Sequence, residues 1–157
     1  MSGSARFEAA LKYATKKHEG QCRIGGEPYI SHPVAVAALL RERGYDEEFQ
    51  IAGLFHDLLE DTDATEAEIA EFGSPAILEA VKLVTKEKNY VMEEYIARIR
   101  KNKMAFAVKG ADRLHNLRSA VCADEAFKRK YILESKEWYM DFNVQIPEAI
   151  KNLEETC

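Results

Sequence analysis

Cysteine is scarce in this chain: Cys22, Cys122 and Cys157 are odd in number, and no CxxC pair or zinc-ligand spacing joins them. That pattern argues against a disulfide framework and a structural zinc site, and the expected setting is reduced and cytoplasmic. Long apolar runs are absent too. The first twelve residues hold no leader-like apolar stretch, and no run approaches the roughly 20 residues of a membrane span, so a soluble protein with no membrane partner is expected. Positive charge is in deficit, with 22 Lys and Arg against 27 Asp and Glu and a formal net charge of −5. Binding to a phosphate backbone is driven by the opposite excess, so nucleic acid is not an expected partner. Basic residues do gather between Lys82 and Lys103 and at Arg113 to Arg118. A compact polyphosphate ligand and simple surface solvation account for them equally well.

Strand-like alternation is also missing. Apolar residues recur at helical spacing through Phe7 to Tyr13, Val34 to Leu40, Phe49 to Leu59, Ile77 to Val84, Tyr95 to Ile99, Met104 to Val121 and Phe127 to Phe142. The four prolines fit this reading. Pro33 follows a cap at Ser31, Pro75 follows a cap at Ser74, Pro28 lies in a loop, and Pro147 divides the C-terminal region into a long helix and a short one. Thr65 and Glu68 have the spacing of a capping box, while Gly44 and Gly73 mark helix stops. Gly20 to Ile30 is the one extended irregular stretch, and loops of this kind often contact ligands. No repeat, linker or low-complexity segment interrupts the 157 residues, a length suited to one domain with one core. The expectation is an all-α, single-domain helical bundle over residues 1–157, of unassigned oligomeric state.

The densest chemistry lies at His56-Asp57-Leu58-Leu59-Glu60-Asp61-Thr62. On a helix that advances about 100° per residue, with His56 at the origin, Glu60 falls at about 40°, Asp57 at about 100° and Asp61 at about 140°. One face would carry all four, and the other Ile51, Leu54, Phe55, Leu58 and Leu59. A solvated polar face has a similar outline. Such faces usually mix Lys and Arg among the acids, however, and this one holds only His and carboxylates, a composition that suits a cation.

A second polar strip lies at Ala111-Asp112-Arg113-Leu114-His115-Asn116-Leu117-Arg118-Ser119, where Asp112, His115, Asn116 and Ser119 share a helix face. A buried Asp112 beside Val108 and Ala111 requires a partner, either Arg113 or a metal.

These segments resemble the HD-domain superfamily of metal-dependent phosphohydrolases, and within it the hydrolase module of RelA/SpoT-type alarmone enzymes and the stand-alone small alarmone hydrolases. The resemblance covers most of the chain. It rests on Gly20 to Arg23, Gly26 to Pro33, His56-Asp57 with Glu60-Asp61-Thr62, Phe72-Gly73, Val84 to Lys86, and Ala111 to Asn116, in that order. It implies an HD-type fold in which His32, His56, Asp57 and Asp112 hold one divalent ion, manganese by likeness. A mixed nitrogen and oxygen set suits a mid-row transition ion without excluding zinc, iron or magnesium. By the same likeness Glu60 and Asp61 are the catalytic pair, handling protons as pyrophosphate is released from the ribose 3′ oxygen of guanosine tetraphosphate or pentaphosphate. The resemblance also implies that Arg23 packs on the guanine base, with a solvated loop residue as its alternative, and that Asn116 and Ser119 contact ribose or phosphate. His115 is expected to orient a neighbour or to pack between helices.

Relatives commonly place Lys after the Arg at position 23, whereas this chain has Ile24. Lys86, Lys88 and Arg118 are the candidate replacements for the missing charge, and Tyr139 is a further candidate contact with a core role as its alternative. Ile24 also keeps open another nucleotide substrate, an adenine alarmone or a dinucleotide cofactor phosphate. A catalytically silent nucleotide-binding module is a third reading, opposed by the intact ligand and carboxylate set. No synthetase or regulatory domain is expected within this length.

Overall fold

A computed structural model describes residues 2–157. Ten α-helices follow one another: α1 (Ser2–Lys17), α2 (Ser31–Glu42), α3 (Glu47–Phe55), α4 (Leu58–Asp61), α5 (Glu66–Phe72), α6 (Pro75–Val84), α7 (Met92–Arg100), α8 (Lys103–Ser119), α9 (Glu125–Trp138) and α10 (Ile146–Glu154). A 3₁₀ turn, Ala120–Cys122, follows α8. The fold is all-α. Among the described residues the only β-type pairing is an isolated antiparallel bridge between Cys22 and Pro28.

Helix α8 is the central element, packing against α2, α3, α6, α7, α9 and α10. It is buried over most of its length, including Val108, Ala111, Leu114 and Leu117. The outer helices present narrower apolar stripes. In α10 the buried residues are Ile146, Ala149, Ile150 and Leu153, the three-to-four spacing of a single buried face. Each Leu or Ile buried this way stabilises the fold by about 1.5–3 kcal/mol before the entropy of ordering is charged against it.

Several expected boundaries appear. The Thr65 hydroxyl accepts from the Glu68 N–H and the Glu68 carboxylate accepts from the Thr65 N–H, completing the capping box. Ser74 caps α6, with Pro75 in its first turn. Gly44 ends the α2 region at φ +84°, a left-handed conformation.

Three expectations are corrected. Ser31 is not a cap: Ser31 N–H donates to the Pro28 carbonyl and His32 N–H to the Tyr29 carbonyl. The turn already formed at Pro28 and Tyr29 runs into α2, so the boundary residue is Ile30, in helical conformation and without a side-chain cap. The helix expected from Phe127 to Phe142 stops at Trp138. Beyond it the chain folds back so closely that a Cβ on Gly110 would overlap the Phe142 carbonyl oxygen.

The third correction matters most for function. The helix expected over Phe49 to Leu59 is broken at His56 and Asp57. The His56 Nδ1 lies 2.7 Å from the Gly53 carbonyl oxygen, which also takes the His56 backbone N–H at 3.5 Å. That carbonyl would otherwise serve the next residue, so the ladder is interrupted and restarts with Asp61 N–H on the Asp57 carbonyl at 2.9 Å. The four polar residues therefore occupy a turn and a short second helix, not one continuous face.

Candidate metal centre and adjoining cavities

His32 comes from the first turn of α2, His56 and Asp57 from the turn between α3 and α4, and Asp112 from α8. Asp112 Oδ1 lies 2.8 Å from His32 Nε2 and 3.2 Å from His56 Nε2. Asp57 Oδ2 lies 3.1 Å from His56 Nε2 and 3.8 Å from His32 Nε2. Potential ligand atoms of His32, His56 and Asp57 all fall within 4.8 Å of one another.

The surrounding hydrogen bonds test whether these groups suit a cation. A carbonyl only accepts, so His56 Nδ1 carries the proton shared with Gly53, and a neutral His56 turns a bare Nε2 toward two carboxylate oxygens. His32 Nδ1 lies 2.8 Å from His115 Nδ1, and one of the two must donate. With His32 as the donor, its Nε2 is bare as well. Lone pairs from two imidazoles and two carboxylates then converge, an arrangement that a divalent ion satisfies.

The carboxylates are themselves held. Tyr29 donates its hydroxyl to Asp57 Oδ2 at 2.5 Å. Lys109 donates to Asp112 Oδ2 at 3.0 Å, and Asn116 donates its amide to Asp112 Oδ1 at 3.1 Å. Lys109, not Arg113, is therefore the ammonium or guanidinium group paired with Asp112. Arg113 instead pairs with Glu134 at 2.7 Å and lies between the rings of Tyr131 and Tyr139, 4.1 Å from each centroid.

Burial works to raise the Asp112 carboxyl, but the Lys109 ammonium and the two imidazoles overcome it and hold Asp112 well below the usual carboxylate range. Asp57 is held at about 2 against its burial, chiefly by His56. His56 is correspondingly raised well above the usual imidazole value, because Asp57 and Asp112 outweigh its desolvation. Burial, and then the charge of His32, pushes His115 down to about 4. Asp61 moves the other way: partial shielding of its carboxyl, then the charges of Asp57 and Glu60, raises it to about 6.

Two cavities adjoin. The cavity holding the cluster, about 250 Å³, is also lined by Glu60, Asp61, Lys86, Lys109, Arg113 and Glu134. Its neighbour, about 570 Å³, is lined by Arg23, Ile24, His115, Ser119, Val121 and Phe127 among others. Tyr29, Asn116 and Tyr131 line both. Arg23 stands on a hairpin closed by its N–H to the Glu27 carbonyl at 2.7 Å and turned at Gly26, φ +92°. Its guanidinium donates to Asn116 Oδ1 at 3.2 Å.

The expected ligands and Glu60 and Asp61 thus line the smaller cavity, Arg23 and Ser119 line the larger, and Asn116 lines both. Lys86 reaches the smaller cavity, while Lys88 and Arg118 line neither. Tyr139 is fully buried in the core. Tyr29, Lys109 and Tyr131 were not expected. Tyr29 lies inside the Gly26-to-Pro33 segment, and Lys109 sits one helical turn before Asp112, so position alone marked both; nothing in the sequence marked Tyr131.

The sequence profile of the HD domain matches residues 10–143. Over 145 residues the chain is 36% identical to the bifunctional (p)ppGpp synthase/hydrolase SpoT of Escherichia coli (strain K12), covering 85% of this chain and 21% of that protein. It is 37% identical over 139 residues to a probable guanosine-3′,5′-bis(diphosphate) 3′-pyrophosphohydrolase of Synechocystis sp., covering 82% of this chain and 18% of that one. The chain thus spans about a fifth of the length of these curated relatives. A solved structure, described as a metazoan ortholog of SpoT that hydrolyses ppGpp and plays a role in starvation responses, superposes with a TM-score of 0.78 at 25% identity. The superposition covers 96% of this chain and 94% of that one. With its profile matched over most of its length and its fold shared with this ortholog, the chain belongs to the HD-domain family.

Proposed function

We propose that the chain hydrolyses the 3′-pyrophosphate of guanosine tetraphosphate and pentaphosphate, giving GDP or GTP and pyrophosphate. The observation that carries this reading is the pair of adjoining cavities, one broad with Arg23 in its wall, the other small, polar and built around the His-Asp cluster. A purine base and ribose fit the first, and a pyrophosphate fits the second. The names of the relatives support the same substrate.

His32, His56, Asp57 and Asp112 would hold one divalent ion, for which manganese is proposed. When bound, it supplies Lewis acidity and makes water a stronger nucleophile. The chain's own groups do the rest. Glu60 is anchored by the Lys86 backbone N–H at 2.7 Å, which fixes the wall of the cavity. Asp61, raised to about 6, is the carboxylate matched to accept a proton from attacking water near neutral pH. Lys86, Lys109 and Arg113 offset charge on the phosphate groups. Arg23 packs on the base, Asn116 fixes the ribose where the cavities meet, and Ser119 contacts the nucleotide in the larger cavity.

Ile24 favours a second reading. It is 75% exposed and brings no charge to the larger cavity, so a different nucleotide, adenine-based or a dinucleotide phosphate, is the alternative substrate. Metal-stripped protein given manganese and a panel of guanine and adenine nucleotides with 3′ phosphates or pyrophosphates separates the two. Pyrophosphate released from the guanine tetraphosphate is the expected product. Selective turnover of another nucleotide would replace this reading with the second, and binding without turnover would overturn both.

A further inference from the structure

Tyr29, Asn116 and Tyr131 line both cavities. If the base occupies one cavity and the pyrophosphate the other, the bond to be broken, between phosphorus and the ribose 3′ oxygen, lies where they meet. That oxygen leaves as an alkoxide unless it receives a proton, so the junction is where an acid is needed.

Two of the three residues are committed elsewhere. The Tyr29 hydroxyl donates to Asp57. The Asn116 amide donates to Asp112 and its carbonyl accepts from Arg23, and an amide is in any case no acid in water. Glu60 and Asp61 line only the smaller cavity and His115 only the larger. The His115 Nδ1 is occupied by His32.

Tyr131 differs from all of these. Its ring is clamped between the Arg113 guanidinium, 4.1 Å from the centroid, and Phe127, stacked at 5.4 Å with 14° between planes. Arg113 is fixed in turn by Glu134 and Ser135. The ring is thus packed at the junction, and its hydroxyl lies beside the Asn116 side chain, a contact that eases loss of its proton. Burial keeps that hydroxyl protonated, raised to about 12.

We propose that Tyr131 is the catalytic acid that protonates the departing 3′ oxygen. The proposal rests on the functional reading above. As the water oxygen bonds to phosphorus, the P–O3′ bond breaks and its electron pair goes to O3′, which takes the phenolic proton. The proton lost by water passes to Asp61, and its return to the tyrosinate through solvent restores both groups. The products are a 3′ hydroxyl and pyrophosphate, with no other reactant required.

The test compares wild type with Tyr131→Phe, which keeps the ring and its packing, in the manganese-loaded protein. Two substrates are used: guanosine tetraphosphate, and its analogue with sulfur in place of the bridging 3′ oxygen, whose thiolate leaves without a proton. The expected result is a fall in kcat of about 100-fold or more on the oxygen substrate, with KM little changed and the sulfur analogue turned over at the wild-type rate. Equal losses on both substrates, or no loss on oxygen, would overturn the assignment. If wild type releases no pyrophosphate from the oxygen nucleotide, the functional reading itself fails, a result distinct from failure of the Tyr131 role.

Discussion

The His56 imidazole and the Gly53 carbonyl, 2.7 Å apart, form the contact that ends α3 and aims Nε2 at Asp57 and Asp112. Gly53 is bound to its identity by packing as well. A Cβ there would stand 2.9 Å from Leu40 Cδ1 and 3.2 Å from Val36 Cγ1 on the facing α2. Gly53→Ala is expected to destabilise the fold by about 1–3 kcal/mol through overpacking, read from urea midpoints. It should also weaken metal binding, because α3 must shift the carbonyl that orients His56. Unchanged metal affinity in the folded variant would separate the packing role from the orienting one.

Removing a ligand should differ in kind from removing a group behind it. Asp57→Ala is expected to abolish manganese-dependent turnover. His115→Ala leaves the donor set complete but frees the His32 ring, whose Nδ1 it meets at 2.8 Å. Loss of such an orienting partner costs about 10- to 100-fold in metal affinity. Equilibrium dialysis against manganese measures both, and wild-type affinity in His115→Ala would remove that role.

Lys109 is 8% exposed, and its ammonium is the protein cation beside Asp112. Breaking a buried pair from one side leaves an uncompensated charge, so Lys109→Ala is expected to cost about 3–5 kcal/mol in metal-free protein. Manganese should recover part of that loss by supplying the missing positive charge. A melting temperature insensitive to metal in this variant would contradict the arrangement.

These contacts show where the sequence was legible and where it was not. The all-helical pattern, the Thr65 capping box and the Ser74 cap were readable because they depend on neighbours within four residues. The gathering of His32, His56, Asp57 and Asp112 was readable because the motifs that carry them are several residues long and stand in a recognisable order. The break at His56 was not, since no Gly or Pro marks it; a side chain capturing a carbonyl makes it. Of the two partners left open for Asp112, Arg113 or a metal, Arg113 turns away to Glu134, because adjacent positions on a helix point about 100° apart, and Lys109, three residues back on the same face, was not expected. Tyr131 belongs to a helix that no motif covered, and only tertiary packing brings it to the site.

Asp61 gives the stability of the metal-free protein a pH dependence of definite sign. Its folded value of about 6 exceeds the ordinary 3.8, so between them the folded chain binds more protons than the unfolded one. Stability from this group is complete below the ordinary value, declines as pH rises through the window, and is lost above about 6. Asp61→Asn removes the dependence. Its urea midpoint relative to wild type should therefore rise between about pH 4 and about pH 7, and a constant difference would contradict the raised value.

Arg23 tests the division of labour between the cavities. Its guanidinium donates to Asn116 at 3.2 Å and lies 5.9 Å from the centroid of the Tyr29 ring, so it joins the hairpin to α8 while facing the larger cavity. Stacking of a guanidinium on an aromatic system contributes about 0.5–2 kcal/mol, which corresponds to roughly 2- to 30-fold in affinity. Arg23→Ala is expected to weaken GDP binding by that factor in calorimetry while leaving manganese affinity at the wild-type value, since Arg23 does not line the cavity of the His-Asp cluster. Loss of metal binding in step with GDP would mean that the hairpin supports Tyr29 and Asp57 as one unit, and the two cavities would then be a single site that assembles together.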